Sequence, residues 1–203
     1  MRAGCLLLAF AVCACTPRAA DDPVALAAHS NTTRIDPARV WLGPSDRNVL
    51  ALPGGERRTV ASLLRIGEPM RYGEFRWNEA GITSAPAWIR IDLAAQTLSV
   101  FRGDHEIGAG VILYGADSHP TPRGRFPVLA KFKHHRSNLY AAEMPFTLRL
   151  TADGVAIHGS DVRRGAATHG CIGIPEKFAA RIFEAVQRGD PVFIVPPADP
   201  DAA

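Results

Sequence analysis

The chain has 203 residues, 47% of them hydrophobic and 21% charged, with a formal net charge of +3. That balance is globular and excludes a disordered chain, and the length holds one ordinary domain plus a leader or a short accessory segment. The mild positive charge comes without a basic cluster interleaved with aromatics, which argues against nucleic-acid binding. Sixteen Pro and eighteen Gly beside nine Phe, three Tyr and three Trp favour a turn-rich β architecture over a helical bundle.

Met1 and Arg2 lead into an apolar run, residues 5–12, too short to span a bilayer as a stable helix. Residues 1–14 therefore read as an export signal. The signal ends in Val12-Cys13-Ala14-Cys15, which resembles a bacterial lipobox. The resemblance implies lipidation of Cys15 and a membrane anchor; ordinary cleaved secretion and an uncleaved anchor are the alternatives. Either export route places the protein in the cell envelope or periplasm. Of the four cysteines, residues 5 and 13 fall in the leader. With Cys15 acylated, Cys171 is the one thiol left, which invites a reactive reading. A buried, inert cysteine is the bland alternative.

Residues 15–33 are small and polar and read as a tether. Residues 34–84 are broken by Gly43-Pro44, Pro53-Gly54-Gly55 and Gly67-Glu68-Pro69, and read as an irregular lead-in packing on the domain. Within it, Arg39–Leu42 suits a short strand and Arg58–Arg65 a helical turn or two. From Ala87 the pattern is cleaner. Residues 88–93 alternate, as do 97–101, and residues 106–113 follow the turn Gly103-Asp104, giving three antiparallel strands. Arg125–Phe132 and Phe146–Leu150 read as further strands. Asp153-Gly154 turns the chain into a strand over 155–158. Residues 175–188 read as a helix with Phe178, Ile182, Phe183 and Val186 on one face, and 192–195 as a last strand. The main domain reads as 85–196, with a tail at 197–203. The fold expected is mainly β, a β-sandwich or partly closed barrel with one appreciable helix after Cys171.

His158 ends a predicted strand, and residues 159–167 form a loop that returns to Thr168-His169-Gly170-Cys171. A thiol needs a neighbouring base to act as nucleophile near neutral pH, and His158 is the candidate. Gly170 lets the backbone approach a substrate, and the N–H groups around Cys171 are candidate oxyanion donors. Zinc held by His158, His169 and Cys171 is a rival, but no CxxC pair, HExxH or well-spaced carboxylate accompanies them. Asp161, Arg163 and Arg164 read as a solvated loop, with substrate contact by an Arg as the alternative. Residues 114–124 and 134–140 are candidate cleft walls.

Ile157-His158-Gly159 followed by Thr168-His169-Gly170-Cys171-Ile172 resembles the L,D-transpeptidase (YkuD-type) catalytic domain. The likeness runs from about Ala87 to Val195 and includes Gln96-Thr97-Leu98, Pro120-Thr121-Pro122-Arg123-Gly124-Arg125-Phe126 and Met144-Pro145-Phe146. It implies a β-sandwich and a cysteine acyltransferase acting on peptidoglycan stem peptides. Such an enzyme cleaves before the terminal D-alanine of a tetrapeptide and passes the acyl group from a thioester to an amine. By the same resemblance Cys171 is the nucleophile and His158 the general acid/base. The Gly159 carbonyl orients the imidazole, and Thr168, His169 and Gly170 shape the oxyanion pocket. No metal or organic cofactor is implied, and a monomer is expected. Two departures stand out: Gly173 occupies a position usually Arg or Asn, and the loop from His158 to Cys171 is short. Transfer to water, making an L,D-carboxypeptidase or amide hydrolase, is the second reading. A non-catalytic wall-binding module is the third.

Overall fold

A computed structural model describes residues 38–137 and 142–196, all within one compact unit, Ile35–Ala203. The leader, Cys15, the tether and the 197–203 tail lie outside the described residues, as does Tyr140 of the candidate cleft wall.

The lead-in is more regular than its Gly-Pro breaks imply. It forms β1 (Arg39–Trp41), β2 (Asn48–Leu52), β3 (Glu56–Val60), β4 (Ser62–Leu64) and β5 (Phe75–Trp77). The turn Pro53-Gly54-Gly55 has φ of +82° and +75° at its glycines and folds β2 onto β3 as a hairpin. The helical turns expected at Arg58–Arg65 are therefore absent. A helix this short pays nucleation without enough propagation, whereas the hairpin turn and the pairing of β4 with β1 supply ladder bonds at once.

The next strands are β6 (Ala87–Asp92), β7 (Thr97–Arg102) and β8 (His105–Val111), antiparallel neighbours as the alternation predicts. The predicted strand at Arg125–Phe132 divides into β9 (Gly124–Pro127) and β10 (Ala130–Phe132), which belong to different sheets. Between them the backbone turns aside: Val128 N–H donates to Asp190 O and Leu129 N–H to Arg149 O. Then come β11 (Thr147–Arg149), β12 (Ala156–Ser160), β13 (Ile172–Pro175), helix α1 (Glu176–Ala185) and β14 (Pro191–Val195). Strand β13 was not foreseen. The helix ends at Ala185, three residues before the predicted stop, because Val186 is already extended.

One sheet runs β1-β4-β8-β7-β6-β14-β9, with β5 also paired to β8. A second runs β10-β11-β12-β13. Neither closes into a barrel. The main core lies between the sheets and α1, joining Ile89, Ile91 and Leu98 to Leu148, Ile157 and Ile172, with Phe178 and Ile182 from the helix. On the far side of the large sheet Trp88, Phe101 and Phe193 form a second cluster with Leu52 and Val60 of the hairpin.

Candidate active site

Side chains of a strand alternate between faces, so the four-stranded sheet sorts its residues into two sets. Lys131, Leu148, Ile157 and Ile172 stand in one cross-strand row. That row faces inward: Leu148, Ile157 and Ile172 are core residues, and Lys131 Nζ donates to Phe183 O and Val186 O at the end of α1. The flanking rows must face the other way. One holds Ala130, Arg149 and Ala156 and extends to Cys171, immediately before β13. The other holds Phe132, Thr147, His158 and Gly173. His158 and Cys171 thus share the outer face of two adjacent parallel strands. As diagonal neighbours their Cα atoms are about 8 Å apart, given a strand spacing of ~4.8 Å and a rise of ~3.3 Å per residue.

The His158 ring is buried, and its Nδ1 donates to Gly159 O at 2.9 Å. A carbonyl only accepts, so the proton sits on Nδ1, and Nε2 carries the lone pair. Burial holds the imidazole below its ordinary value of 6.5; the Gly159 bond opposes this, and the nearby His135 adds to it. The neutral, proton-accepting form therefore dominates at neutral pH.

Cys171 is half-buried. Its Sγ is turned to Gly154 O at 3.8 Å rather than to the imidazole. Burial pushes the thiol up from its ordinary value, and a backbone hydrogen bond at Ala156 partly offsets that. The thiol is therefore protonated at neutral pH.

The cysteine turn is clamped from one side by residues 113–116. Leu113 and Gly173 exchange backbone hydrogen bonds at 2.8 and 3.0 Å, Thr168 N–H donates to Tyr114 O, and Ala116 N–H donates to Thr168 O. Thr168 Oγ1 donates to Cys171 O, closing the turn on itself. Gly170 has φ +101°, which favours glycine. His169 is exposed, with its ring edge-to-face on His119 at 5.3 Å between centroids. Among the described residues no three His, Cys, Asp or Glu side chains converge as metal ligands, the set His158, His169 and Cys171 included. Arg163 pairs with Asp161 at 3.5 Å on an open loop.

Sequence motifs whose role was obscure gain one here. Buried Thr121 accepts the Gly115 N–H at 2.9 Å, and a Cβ on Gly115 would lie 2.0 Å from His119 O and 2.9 Å from Gly170 Cα. The Thr-Pro motif thus packs its loop directly against the cysteine turn. Pro145 O accepts the Gly159 N–H at 2.8 Å, and a Cβ on Gly159 would meet Pro145 Cγ at 2.9 Å. The Met-Pro-Phe motif holds the residue whose carbonyl holds His158. Sequence reasoning missed Arg149 on this face. Its parity with His158 is readable once the Asp153-Gly154 turn is taken as a tight hairpin: Gly154 has φ +109°, and Leu150 N–H donates to Val155 O.

Residues 86–194, more than half of the chain, match the family model of the L,D-transpeptidase catalytic domain (YkuD). The chain belongs to the L,D-transpeptidase family. It is similar to L,D-transpeptidase 1 of Mycobacterium tuberculosis, with 29% identity over 188 residues, covering 70% of this chain and 75% of the relative. Its fold matches a solved L,D-transpeptidase from Stackebrandtia nassauensis at a TM-score of 0.52 and 20% identity, covering 57% of this chain and 58% of that one. It also matches an L,D-transpeptidase solved in complex with imipenem, at a TM-score of 0.52 and 18% identity, covering 73% of this chain and 99% of that one. This L,D-transpeptidase keeps the expected mainly β architecture with a helix after the cysteine. Gly173 stands opposite His158, and the loop expected at 159–167 starts only after Ser160, because Gly159 and Ser160 still pair with β13 as part of β12.

Proposed function

We propose that this L,D-transpeptidase cleaves before the terminal D-alanine of a peptidoglycan tetrapeptide and transfers the acyl group to an amine, with Cys171 as nucleophile and His158 as general acid/base. The observation that supports this most is the 2.9 Å bond from His158 Nδ1 to Gly159 O, which leaves Nε2 as acceptor on the face that carries Cys171. Nε2 takes the thiol proton as sulfur attacks the carbonyl carbon of the third stem residue. The new C–S bond leaves a tetrahedral oxyanion, stabilised by backbone N–H groups of the turn at Gly170 and Cys171. The imidazolium gives its proton to the D-alanine nitrogen as the C–N bond breaks. An acceptor amine, that of a neighbouring stem, then attacks the thioester and gives a proton to His158 Nε2; the C–S bond breaks, and the imidazolium returns that proton to the Cys171 sulfur. Thr168, His169 and Gly170 shape the pocket. Every step uses groups of the chain and the substrates, with no metal or organic cofactor.

Transfer to water is the second reading. Incubation with tetrapeptide-bearing muropeptides separates the two. Cross-linked dimers support transpeptidation, tripeptide alone supports hydrolysis, and no product from the parent protein overturns both.

The reading also places the enzyme outside the cytoplasm. The apolar run 5–12 and the lipobox-like Val12–Cys15 support export with Cys15 as an acylated anchor in the cell envelope. The intact mass of protein purified from its native host tests this. A mature N-terminus at Cys15 with added acyl mass supports the anchor, and an unmodified Cys15 overturns it.

A further inference from the structure

Arg149 stands in the same cross-strand row as Ala156 and Cys171, on the outer face of the second sheet. Two strand spacings, about 9.6 Å, separate its Cα from that of the cysteine. The residue between them is alanine, so nothing large blocks the path. Fully extended, an arginine side chain is long enough to cover most of that distance.

The guanidinium lacks the partner that such a group normally has. Its Nε is buried without a hydrogen-bond acceptor. The ion pairs among the described residues engage Arg58, Arg90, Arg102, Arg125, Arg136 and Arg163, and none engages Arg149. A buried donor left unmatched is uncommon, and a guanidinium without a carboxylate partner, on the sheet face that carries the nucleophile, is suited to an anion.

Resting on the acyl-transfer reading above, we infer that Arg149 binds the free carboxylate of the terminal D-alanine in the donor stem. In that substrate the carboxylate lies one Cα beyond the scissile nitrogen, so a carbonyl carbon at Cys171 puts it within a few ångströms, on one side or the other of the sulfur. On the Ala156 side it meets the guanidinium, whose planar fork matches a carboxylate with two parallel hydrogen bonds. The contact fixes which amide faces Cys171. It also discriminates by length: a stem one residue longer carries its carboxylate ~3.5 Å further along the chain and out of register.

The test compares the parent with Arg149→Gln and Arg149→Lys on two tetrapeptides, one ending in D-alanine with a free carboxylate and one in D-alaninamide. The parent is expected to prefer the free acid by ~10- to 100-fold in kcat/KM, the scale of a charge-assisted hydrogen bond. Arg149→Gln loses that preference and matches the parent on the amide, and Arg149→Lys retains part of it. Equal losses by Arg149→Gln on both peptides mark a structural role and overturn the assignment. Should Arg149→Gln not fold, the parent alone decides: a parent indifferent to acid or amide overturns it. A parent inactive on both peptides overturns the acyl-transfer reading, and the Arg149 assignment with it.

Discussion

Gly173 stands directly across from His158 in the parallel pair β12–β13. A Cβ there would lie 3.1 Å from Ser160 Cβ and 3.4 Å from Leu113 Cβ, tight but not closed. Gly173→Asn is expected to fold with a loss of about 1–3 kcal/mol from crowding. If the bare position admits water, the variant raises the ratio of cross-linked dimer to tripeptide in a muropeptide assay. An unchanged ratio would detach Gly173 from the choice of acceptor.

A carbapenem offers a strained amide to the same thiol. The parent protein should gain the mass of one intact carbapenem, and Cys171→Ala none. His158→Ala should acylate ~100-fold or more slowly, the usual scale for a lost general base. Intact-mass spectra over time read all three, and an adduct on Cys171→Ala would place the nucleophile elsewhere.

The pH profile of that acylation follows from the two environments. Burial holds His158 below 6.5, so the neutral base persists into mildly acid solution and the acid limb falls below that value. Burial raises the Cys171 thiol, so spontaneous thiolate is scarce near neutrality. His158→Ala should therefore show no plateau around pH 7, its rate climbing with pH up to alkaline values. An acid limb unmoved by His158→Ala would show that another group sets it.

Arg39 is 1% exposed and ties β1 to β4 and β8 within the large sheet. Its guanidinium donates to Ser62 Oγ at 3.0 Å and to the carbonyls of Glu106 and Asn78, both at 2.5 Å. Arg39→Met leaves those acceptors unmatched and is expected to cost about 3 kcal/mol. The thermal midpoint should drop by several degrees, while the carbapenem adduct still forms below it. A midpoint within a degree of the parent would mean the network contributes nothing net.

The alternation of residues 87–93 and 97–101 made the central hairpin legible, because one face is buried on each side of it. The motif residues located His158 and Cys171 on either side of a short loop. Strand β13 was hidden because it has four residues, Ile172–Pro175, and begins as soon as the cysteine turn ends. Its pairing with β12 is parallel, so no hairpin signal marks it. The division of 125–132 was hidden for a related reason. Val128 is 1% exposed and reads as strand interior, yet it is buried where the chain changes sheets. Arg58–Arg65 was misread because Thr59 and Val60 prefer strand while Arg58 and Leu63-Leu64 suit either state. The long-range pairing of β4 with β1 decided it.

Strand β14 sits between β6 and β9, parallel to the first and antiparallel to the second, and Val192, Phe193 and Ile194 are wholly buried there. The centre of the large sheet is thus filled by a segment that leaves the ribosome about a hundred residues after β6. Until it arrives, two strands lack their shared neighbour and the core lacks its floor. Completion of folding therefore waits for β14, and a stop codon anywhere before Pro191 should yield a product that proteases clear rather than a shortened enzyme.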